Sequence, residues 1–207
     1  EAQLCNLADE IAYNAHDIDD GVRSGLIDME QLFEVNLFEV HYRQALLDFP
    51  SLSNPHTQRR LLFETIRRML SAQVYDLINV SQVKLAQEAP ADLDHVRLVR
   101  PLLAFSGETR DRSVQLKQFL FRNLYRHPQV MLTMELAKQV VRDLFDAYTH
   151  APQEMSDSFC IGPLVANDGK FSDATPLPRR VADYIAGMTD RFASREHQRL
   201  TRKRLVA

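Results

Sequence analysis

Three residues near the start of the chain have types and spacing that could do chemistry: Asp9, Tyr13 and Asp17. On a helix, residues four apart are neighbours, each step drifting only about 40° around the axis, so the three form one continuous polar stripe. Leu4, Leu7, Ile11, Ala15 and Ile18 make the opposing apolar stripe. An aspartate can ligate a hard divalent cation. A tyrosine hydroxyl and a second aspartate, one and two turns on, could grip a neutral polyol such as a sugar. The same spacing fits an ordinary amphipathic helix with one side in the core and an acidic side in water, and spacing alone favours that reading. His16 sits beside the stripe and suits a surface or packing role better than ligation.

The elements that must position these residues read as helices almost throughout. The 207 residues include only six glycines, show no clean strand alternation, and repeat apolar residues at three- and four-residue intervals. The spacing predicts a helix over 2–19 that stops near Asp20-Gly21. A second begins after Asp28, with Gln31 at the capping-box position, and runs toward Leu47. Residues 50–55 form a loop, Asn54 capping and Pro55 opening a third helix over 56–80. A less regular connector covers 81–112. Helices follow over 114–125, capped by Ser113, and over 129–148. Residues 151–178 collect prolines and glycines and read as a long loop, and a last helix runs from 179 to about 204. There are no internal repeats. The expectation is an all-α fold of five to seven helices.

Composition narrows the functions this fold can carry. Hydrophobic residues are 45% and charged residues 26% of the chain, which excludes wholesale disorder. A net charge of -3 gives no global attraction to nucleic acid or membrane, so such binding needs a local patch. Two patches qualify: Arg59, Arg60, Arg67 and Arg68, and the tail residues Arg195, Arg199, Arg202, Lys203 and Arg204. A solvated or salt-bridged helix face explains both equally simply. Cys5 and Cys160 lack ligand-like spacing, so no disulfide framework is expected and a cytoplasmic location is the natural one. No apolar run reaches the roughly 18 residues of a membrane span. The chain opens Glu1-Ala2-Gln3-Leu4 without a methionine and within a helix, so a piece of a longer protein is expected.

Three blocks carry a family resemblance. LADEIAYNAHDIDDGVRSGLI (7–27) closely resembles the segment that completes the metal site of the HD-domain deoxynucleoside triphosphate triphosphohydrolases, the bacterial dGTPase and dGTPase-like proteins. LKQFLFRNLYRHPQV (116–130) is similar to that family's substrate-pocket helix, and RVADYIAGMTDRFASREHQRL (180–200) to its C-terminal signature helix. The blocks lie in order near the start, middle and end of the chain.

The resemblance implies the C-terminal portion of an HD-domain-like helical bundle. Residues 1–150 would hold the end of the catalytic core and the substrate-pocket helices, 151–178 the long loop, and 179–207 the C-terminal helix. Asp9 falls at the last metal ligand of a His…His-Asp…Asp set, for Mg²⁺ or Mn²⁺. Tyr13 and Asp17 fall where the family holds the deoxyribose, Lys117 where a basic residue meets the triphosphate, and Tyr125 where a tyrosine borders sugar and base, with His127 adjacent. The implied reaction is hydrolysis of a dNTP to deoxynucleoside and tripolyphosphate. A homo-oligomer is implied for the whole protein, and single-stranded nucleic acid or nucleotide effectors are possible ligands. The family's earlier histidines have no counterpart here; the only His-Asp doublet is His16-Asp17, inside the wrong helix. The isolated chain is therefore expected to be inactive. The competing reading is a non-catalytic regulatory or oligomerisation module.

Overall fold

In the computed structural model of the protein, residues 2–156 and 175–203 are described. Most of the loop expected over 151–178 thus lies outside the described residues, as do Cys160 and Arg204. The described residues contain eight α-helices and no strand, in two compact units, 1–127 and 128–207. Among them no helix is long and apolar enough to cross a membrane.

The first unit is built on α1 (Ala2–Arg23), α2 (Asn36–Asp48), α3 (Gln58–Glu88), the short α4 (Leu93–Leu98) and α5 (Gly107–Leu120). Helix α1 buries Ile11, Ala15 and Ile18 of the predicted apolar stripe, while Leu7 is half-buried and Leu4, in the first turn, is exposed. It runs to Arg23, four residues past the expected stop, because Gly21 is a close-approach position as well as a breaker. A Cβ there would lie 2.6 Å from Ile27 Cδ1. The chain turns at Gly25, whose φ of +72° suits glycine, and folds Ile27 back onto Gly21 O at 3.0 Å.

Gln31 does reach back, its Oε1 accepting from Asp28 N–H at 2.9 Å. The helix it starts is a 3₁₀ turn over Gln31–Glu34, and α2 proper waits until Asn36. Buried Leu32 and Val35 flank the break and anchor it in the core. Asn54 does cap, accepting from His56 N–H at 2.9 Å, but the element it caps is a 3₁₀ turn over Pro55–Thr57, and α3 itself starts at Gln58. Helix α3 continues eight residues beyond its expected end, since nothing between Val80 and the left-handed Ala89 ahead of Pro90 interrupts it. The supposed connector is correspondingly shorter. Its return is pinned by Gln3 Oε1, which accepts from Leu102 N–H at 3.0 Å, and by Asp76 Oδ2, which accepts from Ser106 N–H at 2.8 Å. The unit's core joins Ile18 of α1, Phe38 of α2, Leu62 of α3 and Leu116 and Phe119 of α5.

Helix α5 departs most instructively from expectation. Ser106, accepting from Thr109 N–H at 3.2 Å, is its cap, so the helix begins at Gly107, seven residues before Val114. Ser113, expected to cap, sits mid-helix and is 1% exposed.

The second unit comprises α6 (Pro128–His150), α7 (Leu177–Ala186) and α8 (Asp190–Thr201), with α6 packing on both others. The single last helix expected from 179 is two helices. Gly187 ends α7, and Thr189 caps α8 by accepting from Phe192 N–H at 3.3 Å. One helix ends at Gly187 and the next is restarted by the Thr189 cap two residues on.

Val140, Leu144, Tyr148, Met155 and Val181 form this unit's core. At its edge His197, 1% exposed, donates Nε2–H to Asp143 Oδ2 at 2.8 Å. That bond, outweighing partial burial, holds the Asp143 carboxyl below its usual range. Replacing His197 with alanine removes packed ring volume and the donor to Asp143 Oδ2, leaving that carboxylate only the Gln139 amide on Oδ1. We expect a loss of about 2–4 kcal/mol from the unit-2 unfolding transition in calorimetry. A change below about 1 kcal/mol would show that the pair is not structural.

Candidate functional site

The acidic stripe of α1 lies beside α5 and the turn that follows it. Tyr125 OH donates a short hydrogen bond to Asp17 Oδ2. This bond, reinforced by partial burial and by the Asp17 charge, pushes the Tyr125 phenol up to about 12. The hydroxyl therefore stays protonated, a donor, throughout the physiological range.

Seven residues earlier on α1, Glu10 makes the second link. Its Oε2 lies 2.7 Å from Lys117 Nζ, and its Oε1 accepts from Ser113 Oγ at 2.8 Å. Burial raises the Glu10 pKa, but the bonds from Lys117 and Ser113 and the charges of Lys117 and Arg110 outweigh it, and Glu10 is an anion held below the ordinary carboxylate range.

These two links run in the same order along both helices, so α1 and α5 lie side by side in the same direction. They are seven residues apart on α1 and eight on the other side. The mismatch is taken up by Phe121–Tyr125, a five-residue π-helical turn, closed by Arg126 N–H to Phe121 O at 3.0 Å. A π turn packs more residues into each turn and shortens the rise per residue, so eight residues match seven. Lys117 and Tyr125 meet the same face of α1 because the helix widens between them.

The other expected site residues stand as follows. Asp9 is exposed on α1, one residue before Glu10, and Tyr13 is 66% exposed between Asp9 and Asp17. Neither is bonded across to Tyr125 in the way that Asp17 is. His127 is half-buried just past the π turn, its N–H donating to Leu124 O at 3.1 Å. Beside Lys117, a shallow depression of about 440 Å³ is lined by Lys117, Gln118, Phe121 and Arg122. Two cations there suit an anionic group. A larger concavity of about 600 Å³ between α1 and α3 is lined mainly by aliphatic side chains such as Leu4, Val74 and Ile78, and offers no cation.

Among the described residues no three His, Cys, Asp or Glu side chains converge as a metal would need. Asp9 is a single carboxylate, and a single carboxylate does not make a divalent-ion site. No step of a reaction can be routed through a metal on these residues alone.

Glu10 and Ser113 are what sequence reasoning missed. The available signal was that Glu10 stands two turns from Asp17 on α1, as Lys117 of α5 does from Tyr125 in the turn that follows it. The basic patches also take on definite surroundings. Arg67 and Arg68 are held by Glu64, which Arg67 first and then Arg68 bring down to about 2, and Arg68 also reaches Asp48 at 2.6 Å. Arg59 lies over the Phe63 ring. In the tail, Arg199 pairs with Glu154 and Glu196, and Arg195 lies over Phe192.

Residues 103–199 match the model of the phosphohydrolase-associated domain. The chain is 45% identical over 200 residues to the deoxyguanosinetriphosphate triphosphohydrolase-like protein of Bordetella pertussis, covering 97% of this chain and 48% of the relative. The proteins of the same name from Ralstonia nicotianae and Thiobacillus denitrificans are 44% and 41% identical over the same 97% of this chain, covering 48% and 50% of their own lengths. The chain thus spans about half the length of the curated relatives it matches.

Proposed function

The chain belongs to the family of deoxyguanosinetriphosphate triphosphohydrolase-like proteins, and from that premise we propose that it forms the sugar- and phosphate-binding wall of a metal-dependent dNTP triphosphohydrolase. The observation that carries this reading is the paired linkage of α1 to α5: a protonated Tyr125 on Asp17 and a lysine two turns away on the same interface. A neutral hydroxyl–carboxylate pair suits sugar hydroxyls, and a lysine is a point charge for phosphate. The separation of two helical turns, roughly 11 Å of rise, suits a ligand with a polyol at one end and an anion at the other.

In the reaction so proposed, water adds to the α-phosphorus, the bond to O5′ breaks, and deoxynucleoside and tripolyphosphate leave. Tyr13, Asp17 and Tyr125 orient the deoxyribose and crowd the space a 2′-hydroxyl would need. Lys117, with Arg122 beside it, neutralises charge on the phosphate oxygens. Asp9 contributes one ligand to a divalent ion, Mg²⁺ or Mn²⁺, whose other ligands come from the rest of the full-length protein; that ion would supply the activated water.

Asp17→Asn and Tyr125→Phe, made in the full-length protein, test the sugar half. Tyr125→Phe removes the donor of their charge-assisted hydrogen bond and Asp17→Asn removes its charge, so kcat/KM for dNTP falls about 10- to 100-fold. Metal affinity changes little, and the double variant loses less than the product of the singles because the two residues act as one unit. Unchanged kcat/KM in both single variants would overturn the assignment.

A further inference from the structure

We propose that Glu10 is a positioning residue for phosphate recognition, holding the Lys117 ammonium in place on α5 before the triphosphate arrives. The inference rests on the reading of Lys117 as a phosphate-binding group and adds a residue to that site.

Lys117 is 48% exposed at its side chain and extends from a flexible four-carbon stem. Left to itself it would sample many rotamers, and binding phosphate would cost the entropy of choosing one. Glu10 makes the choice beforehand. Its own carboxylate cannot swing away, because the second oxygen is held by the hydroxyl of Ser113, which is almost wholly buried. Ser113 and Lys117 are four residues apart, one above the other on α5, so Glu10 of α1 bridges consecutive turns of the facing helix.

An ammonium has three donors. One is directed at Glu10 Oε2 at 2.7 Å, and two remain for phosphate oxygens. Glu10 therefore orients Lys117 without consuming its capacity. Because Glu10 directly follows Asp9, a single turn of α1 carries the metal-ligand candidate and also sets the phosphate cation. The register between the two is built into the backbone.

The test is product inhibition in the full-length protein, using inorganic tripolyphosphate and deoxyguanosine as separate probes. Glu10→Ala weakens tripolyphosphate inhibition roughly fivefold and leaves deoxyguanosine inhibition unchanged, a split that a general loss of structure would not produce. Glu10→Gln, which keeps an oxygen for Ser113, recovers part of the loss. Glu10→Ala combined with Lys117→Ala is no worse than Lys117→Ala alone.

If Lys117→Ala leaves tripolyphosphate inhibition intact, the phosphate-binding reading of Lys117 fails. If Lys117→Ala weakens it and Glu10→Ala does not, the positioning role fails by itself. Equal weakening of both probes by Glu10→Ala would reduce the bridge to a structural one. Tighter tripolyphosphate binding in that variant would make Glu10 a competitor for Lys117. Either result overturns the proposal.

Discussion

Asp9→Ala in the full-length protein is expected to abolish metal-dependent dNTP hydrolysis, lowering kcat by more than about 100-fold. Loss of an outer-shell partner already costs 10- to 100-fold in metal affinity or activity, and a direct ligand costs more. Asp9 is exposed, and no three ligand-type side chains converge among the described residues. The variant therefore leaves the packing of α1 untouched, and its circular dichroism and melting temperature should match the parent. The measurement is hydrolysis against Mn²⁺ and Mg²⁺ concentration. Retained metal-dependent turnover would remove Asp9 from the site. The companion expectation follows from the same solitary carboxylate: the 207-residue chain on its own hydrolyses no dNTP in either metal, and measurable turnover by the pure chain would contradict it.

Phe38→Ala carries the largest expected effect on stability, about 3–5 kcal/mol. The Phe38 ring is fully buried, at the point where α1, α2, α3 and α5 contribute to one core. It meets Tyr42 in a stacked arrangement at 5.8 Å and the edge of Phe33 at 6.0 Å, contacts that add to the area it buries. Alanine leaves a cavity that four helices cannot close together. Whole domains are stable by only about 5–15 kcal/mol, so the first unit should unfold at markedly lower urea concentration while the second keeps its midpoint. Phe38→Leu should lose much less. A shift in unit 1 below about 1 kcal/mol would mean that the core tolerates the void. Because α1 and α5 meet through this core, the Glu10–Lys117 and Asp17–Tyr125 links should weaken in parallel with it.

Much of the first helix was legible in the sequence. The alternation of Ile11, Ala15 and Ile18 with Asp9, Tyr13 and Asp17 is a short-range pattern, and the helix buries the first set and exposes or half-buries the second as the period requires. The Asn54 cap was legible for the same reason, since a capping side chain reaches a backbone only two or three residues away. The α5 start was not. Ser106 and Ser113 are both serines before helix-forming residues, and nothing local separates them. What makes Ser113 a core residue is Glu10, 103 positions away in the chain. The break at Gly187-Met188-Thr189 was hidden inside an amphipathic period that continues across it, and only the two caps reveal it.

By itself the sequence determined that the chain is all-α, that one face of its first helix carries Asp9, Tyr13 and Asp17, and that its three blocks place it with the triphosphohydrolase-like proteins. Each of these rests on spacing along the chain, which helical geometry converts directly into faces and caps. Only the tertiary structure decided which of the acids meets which partner. Glu10 takes Lys117, Asp17 takes Tyr125, and a π turn adjusts the register between the two links. The physical reason is that a charge or hydroxyl finds its partner through the packing of α1 on α5, and that packing is set by a hydrophobic core drawn from four helices.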